Sequence, residues 1–264
     1  MRIWHTNLID VLPREQLVAQ WRELSAIAGA IEKNGTPNHI LVNFVLDYSY
    51  DNFISYAYYI RQEMTKRGYR TMARVWDKIV ALKPDWSLLP IEEVYKDKMN
   101  NEYFKICYYN LYEKILCGGI LKEAGNKMRI WHTDLIDILP REQLVAQWRE
   151  LSAITGAIEK NGTPNHILVN FVLDYSYDNF ISYAYYIRQE MTKRGYRTTA
   201  RVWDKIVALK PDWSLMPIEE VYKDKMNNEY FKICYYNLYE KILCGGILKE
   251  AGNKIIERGK NYGI

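Results

Sequence analysis

Glycine-rich phosphate loops, metal-spaced cysteines and long apolar runs are all missing from this chain of 264 residues. No stretch approaches the roughly 20 apolar residues that a membrane-spanning helix requires. The opening Met1-Arg2-Ile3-Trp4-His5 lacks the apolar core of a secretory signal. These absences lead to the expectation of a cytoplasmic protein with no membrane partner. Only four cysteines occur, Cys107, Cys117, Cys234 and Cys244, and the ten-residue spacing within each pair fits no zinc or redox motif. Reduced, mostly buried thiols are expected. Histidine is as scarce, with four in all and two in each half. There is no His/Cys ligand spacing and no Gly-x-Ser-x-Gly elbow, so no metal and no cofactor is expected. A large excess of one charge is missing too. The 36 basic and 32 acidic residues leave a net charge of +4, which permits a nucleic-acid partner without demanding one, because charge must cluster to bind phosphate.

Aromatics are plentiful, with 23 Tyr and 8 Trp. Such side chains suit cores, interfaces and base stacking alike. More informative is the repeat. Shifted by 127 positions, the sequence falls on itself: Met1–Lys127 matches Met128–Lys254 with five differences. They are Asn7/Asp134, Val11/Ile138, Ala28/Thr155, Met72/Thr199 and Leu89/Met216, all mild. The period is far longer than the 20–50 residues of a solenoid unit and is domain-sized. Two domains are therefore expected, 1–127 and 128–264, the second carrying the extra tail Ile255–Ile264. The join, Lys122-Glu123-Ala124-Gly125-Asn126-Lys127, is short and polar.

Within one copy, Pro13 to about Lys33 reads as a helix that opens on proline and closes at Asn34-Gly35. Leu17, Trp21, Leu24, Ala28 and Ile31 make its apolar stripe. Ile40–Leu46 is too short to type, and strand or helix start are both open. Asp51–Lys66 reads as a second helix stopped by Gly68, Thr71–Leu82 as a third closed by Pro84, Pro90–Lys98 as a short fourth, and Asn101–Cys117 as a fifth stopped by Gly118-Gly119. No strand alternates with these helices, so the fold class is all-α.

Few side chains offer chemistry. His39, alone in the turn Thr36-Pro37-Asn38-His39, reads as structural. Glu23 and Arg22 lie in the first helix, with Glu23 at the edge of the apolar stripe. On periodicity alone, Glu23 reads as a solvated helix carboxylate, and no side-chain nucleophile stands out beside it. Arg67, Arg70, Arg74 and Lys78 recur at three- or four-residue spacing and form one candidate basic edge. Tyr108, Tyr109 and Tyr112 read as core.

The order of several segments resembles the phage-type pyrimidine-dimer DNA glycosylases. These are Met1-Arg2-Ile3-Trp4, then Leu12-Pro13-Arg14-Glu15-Gln16-Leu17-Val18-Ala19-Gln20-Trp21-Arg22-Glu23-Leu24, Gly29-Ala30-Ile31, His39-Ile40-Leu41-Val42-Asn43-Phe44, Lys66-Arg67-Gly68-Tyr69 and Glu113-Lys114-Ile115. The resemblance covers most of each copy. It implies an all-α domain acting on double-stranded DNA that contains pyrimidine dimers or abasic sites, with both glycosylase and abasic-site lyase activity. The nucleophile it implies is the α-amine of Met1, which displaces the base at C1′ of the sugar as a Schiff base. The physical logic is that an α-amine titrates near 7.7–8.0, against about 10.4 for lysine, so part of it is neutral at pH 7. By the same resemblance, Glu23 is the catalytic carboxylate, and Arg2 and Arg22 are DNA contacts. Met128, Glu150, Arg129 and Arg149 are their counterparts in the second copy. A large second residue favours retention of Met1. The sequence departs from the family where a further arginine is Ala26, and where a longer basic loop is reduced to Asn34–Asn38.

Duplication has a chemical consequence. In the continuous chain the nitrogen of Met128 is an amide, its lone pair delocalised into a carbonyl, so the second copy is expected to lack the nucleophile. A non-catalytic helical module that binds DNA or protein, and a glycosylase for another damaged base, are the competing readings.

Overall fold

The computed structural model describes residues 1–37, 39–86, 89–116, 129–164, 169–213, 216–243 and 245–264, the side chains of residues 114–116 excepted. The expectations for Cys117, the Gly118-Gly119 stop, the join 122–127 and Met128 fall outside the described residues, as does Cys244. The chain forms two compact units, Met1–Ile120 and Leu121–Ile264. Both are helical, and no strand occurs among the described residues.

In the first unit an N-terminal segment buried from Arg2 to His5 leads into a 3-10 helix at Thr6–Val11. The helices α1 (Arg14–Asn34), α2 (Tyr50–Lys66), α3 (Ala73–Val80) and α4 (Asn101–Leu116) follow. Pro13 stands immediately before α1, where its missing N–H costs nothing. Gly35 ends it at φ 72° and returns its N–H to the carbonyl of Ile31, a left-handed cap that a side chain would strain. The stripe Leu17, Trp21, Leu24, Ala28 and Ile31 is buried, as periodicity predicts. The untyped Ile40–Leu46 run yields a 3-10 helix at Asn43–Asp47. Cys107 is buried and unbridged, as is Cys234.

The short fourth helix expected over Pro90–Lys98 does not form; the segment is a series of turns. Side chains of α2 take its backbone donors: Ser55 Oγ accepts from Ile91 N–H at 2.9 Å, and Asn52 Oδ1 from Tyr95 N–H at 2.7 Å. Tyr95 is held at φ 50° with its ring fully buried. Two tertiary hydrogen bonds and one buried aromatic ring outweigh a weak local helix preference.

The second unit repeats this plan with α5 (Arg141–Asn161), α6 (Tyr177–Lys193), α7 (Ala200–Val207) and α8 (Asn228–Leu243). It adds α9 (Lys249–Lys260), which packs on α8 and on the 3-10 helix Thr133–Ile138. Tyr262 stacks on Phe231 with ring centroids 3.5 Å apart and donates its hydroxyl to Asp134, while Arg258 pairs with Asp137 at 2.8 Å. Gly259 lies against the Tyr235 ring, where a Cβ would come within 2.5 Å. The tail decides the fate of the tyrosines read as core: Tyr235 is 4% exposed, whereas Tyr108 is 42% exposed. The core reading therefore fails at Tyr108 and holds only in part at Tyr109 and Tyr112, which are half-buried, whereas their counterparts Tyr235 and Tyr236 are buried. The tail also bears on one of the five differences, since the Asp134 carboxylate accepts the Tyr262 hydroxyl, while Arg258 donates to the main-chain carbonyl of the same residue.

Candidate active site

The first five residues form no regular element, and Arg2, Ile3, Trp4 and His5 are all buried. Four anchors hold them and the residues 6–12 that follow. Tyr103 of α4 donates its hydroxyl to the carbonyl of Ile3. His5 caps the 3-10 helix by accepting the N–H of Asn7 at Nδ1, which leaves Nε2 to donate to the carbonyl of Met99 at 3.1 Å. Burial holds this imidazole below its usual pKa, the Met99 contact opposing, and a ring whose Nδ1 accepts a hydrogen bond is the neutral form. Arg67, in the turn after α2, pairs with Glu63 at 2.6 Å and donates to the carbonyls of Leu12, Ile9 and Asp10 at 2.6, 3.3 and 2.5 Å. Glu23 supplies the fourth.

Arg67 is thus a brace rather than part of a basic edge; Arg70, Arg74 and Lys78 are exposed. Arg67→Ala leaves three carbonyls without their charged donor and Glu63 with Lys66 alone, at 3.4 Å. Charged hydrogen bonds contribute roughly 1.5–3 kcal/mol each in favourable cases, and half-exposure trims this. A loss of about 2–3 kcal/mol is expected, read as an earlier urea transition, with Arg67→Lys recovering only part of it because one ammonium cannot span the fork.

Glu23 sits on α1 facing the chain terminus. Its Oε2 accepts the main-chain N–H of Arg2 at 3.0 Å, and its Oε1 lies 3.9 Å from the nitrogen of Met1. The carboxylate is 20% exposed, so it is neither solvated nor sealed. One turn below, Gln20 is completely buried, and both of its amide atoms lack a partner among the described residues. An unpaired buried amide costs about 1–3 kcal/mol. Sequence reasoning passed over Gln20; the available signal was its place three residues before Glu23 on the face of Leu17 and Leu24.

The predicted arginines separate. Arg22 is exposed on α1, as is Arg149 on α5. Arg2 is buried, its guanidinium 5.4 Å from the centre of the Trp4 ring, and Arg129 lies likewise over Trp131 at 5.1 Å. In the second unit Glu150 Oε2 accepts the N–H of Arg129 at 3.2 Å. Burial raises the Glu150 carboxyl, opposed by the Arg129 N–H, the Arg129 charge and Lys241. A groove along α2, lined by Asp10, Tyr58, Arg61, Glu63 and Glu92 among others, contains neither Met1 nor Glu23. Its mixed charge gives phosphate no net attraction. Among the described residues no three His, Cys, Asp or Glu side chains gather as a metal site, and no helix is long and apolar enough to cross a membrane.

These features define a helical domain that pins the start of the polypeptide against a half-buried helix carboxylate, and a second tandem unit in which the same carboxylate holds a mid-chain N–H. A family model described as pyrimidine dimer DNA glycosylase matches residues 1–77 and 128–204. The chain belongs to that family, with one copy in each unit. No curated protein and no solved structure matches the chain.

Proposed function

We propose that the first unit excises pyrimidine dimers from double-stranded DNA through the α-amine of Met1, and cuts the strand as an abasic-site lyase. The observation that carries this reading is the pairing of Met1 and Arg2 nitrogens with one carboxylate, that of Glu23. Membership of the family supports a dimer glycosylase function. The neutral amine attacks C1′ as the C1′–N bond to the base breaks, and the base takes the proton that the nitrogen gives up; the nitrogen lone pair then opens the sugar ring at C1′–O4′, O4′ gains a proton, and a protonated imine forms. Glu23 stabilises the cationic sugar on the way and then takes the proton from C2′. The C2′–H electrons form a double bond, and the C3′–O bond breaks with the phosphate leaving.

Arg22, exposed beside Glu23, is assigned to phosphate contact. Arg2 lies inside the site, where it meets the sugar-phosphate once the lesion is extruded; a dimer already stacks poorly, which lowers the cost of extrusion. Arg149 and Arg129 take the same roles in the second unit, where a peptide bond at Met128 removes the terminal amine.

A duplex with one defined pyrimidine dimer tests this, alongside undamaged and oxidised-base duplexes, with sodium borohydride present. Cleavage of the dimer duplex with a reduced adduct on the Met1 peptide is expected. Cleavage only at the oxidised base assigns another lesion. Binding without cleavage or adduct makes the chain a binding module and removes the proposal.

A further inference from the structure

The second unit has the same carboxylate and no terminal amine, yet a different amine lies on the same wall. Lys241, on α8, is half-buried. Its Nζ donates to Oε1 of Gln143 at 2.6 Å and stands 5.5 Å from the centre of the Trp131 ring. No carboxylate lies within ion-pair distance of it among the described residues. Burial, and next the charge of Arg129, hold the ammonium down to about 8, with Glu150 and Glu240 opposing. An ordinary lysine titrates near 10.4 and is almost wholly charged at pH 7, whereas about a tenth of this one is a free amine there.

The stripe on α5 links the two groups. Gln143, Gln147 and Glu150 are spaced by four and three and share one face of the helix. Gln143 holds Lys241 at one end, and Glu150 holds the Arg129 N–H at the other. Between them Gln147 is completely buried, both amide atoms lacking a partner among the described residues. A polar wall with an under-charged amine at one end and a carboxylate at the other has the parts that imine chemistry on an aldehyde uses.

We propose that Lys241 is the imine-forming amine of a second abasic-site lyase centre, with Glu150 as its base. The inference rests on the reading of the first unit, because it gives Glu150 the role of Glu23. The substrate class is the ring-opened aldehyde of an abasic site, not an intact dimer. Neutral Nζ adds to C1′ and forms the C–N bond, while the carbonyl oxygen gains a proton. Loss of that oxygen as water leaves the protonated imine. Glu150 then removes a proton from C2′; the C–H electrons form the C2′–C3′ double bond, and the C3′–O bond breaks with the phosphate taking its electron pair. Water hydrolyses the imine and frees Lys241. The expectation of a silent second copy is thereby narrowed to base release.

The test uses the full chain with a folded tag fused ahead of Met1, which removes the first unit's amine, incubated with an abasic duplex and sodium borohydride. The untagged chain is expected to give adducts at Met1 and Lys241. The tagged chain keeps the Lys241 adduct, with yield rising between pH 7 and 8.5. In the tagged chain Lys241→Arg, which retains charge and the Gln143 bond but forms no imine, lowers trapping at least about tenfold, with an unchanged circular-dichroism spectrum. Adduct in the untagged chain alone, mapped only to Met1, overturns the proposal and leaves the first unit's reading standing. Adduct on another lysine overturns it as well. No adduct in either chain overturns both.

Discussion

Glu23→Gln lowers incision of dimer-containing duplex by about 10²–10⁴-fold, the usual range for a positioned acid–base group. The same change at Glu150 leaves dimer incision within about twofold, because that carboxylate faces no terminal amine. The substitution is chosen to spare the fold. Glutamine keeps an oxygen at the position that accepts the Arg2 N–H at 3.0 Å, so the N-terminal segment stays anchored by Tyr103, His5 and Arg67. What is lost is the negative charge 3.9 Å from the Met1 nitrogen and the capacity to take the C2′ proton. Affinity for the damaged duplex is expected to stay near that of the parent, or to tighten slightly, since removal of a carboxylate lessens repulsion of phosphate. A variant that binds and cuts like the parent would take Glu23 out of the mechanism.

A single glycine added ahead of Met1 is expected to abolish dimer incision almost as completely, by more than about 10²-fold, through misplacement. The addition turns the Met1 nitrogen into an amide with no available lone pair and moves the new amine about 3.8 Å along the chain. The new amine has similar intrinsic basicity, so the experiment separates position from chemistry. Gel assays with a single-dimer duplex read the effect, and intact mass confirms which residue stands first. Retention of full dimer incision by the extended chain would move the nucleophile elsewhere. Abasic-site trapping at Lys241 survives the extension, so the two substrates report on the two units separately.

Much of this molecule was legible beforehand. The 127-residue repeat is arithmetic on the sequence, and the ends of α1 follow from Pro13 and Gly35, whose backbones allow little else. The α1 stripe follows from a 3.6-residue period that survives any tertiary context. Glu23 was legible as a position but not as a role. Periodicity put it at the margin between core and solvent, and only resemblance to the glycosylases favoured chemistry.

Other features had no local signature. Pro90–Lys98 has helix-compatible residues, and the acceptors that unmake the helix sit about 40 positions earlier, on Asn52 and Ser55. Arg67 looked like one cation in a basic row because its partners, the carbonyls of residues 9, 10 and 12, are more than 50 positions away. The identical tyrosines Tyr108 and Tyr235 differ in burial because, among the described residues, Gly259 of the tail lies against Tyr235 and has no counterpart at Tyr108.

The sequence by itself determined the duplication, the helical class, the ends of α1 and the absence of a free main-chain amine at position 128 in the continuous chain, since each depends on covalent order or on neighbours within a turn or two. The tertiary structure alone decided that the terminal nitrogens meet Glu23 across 21 and 22 positions, and that Lys241 and Gln143 share a wall across 98. Groups so far apart along the chain are brought together only by burial of the apolar faces between them, and no local pattern records which polar groups that burial leaves side by side.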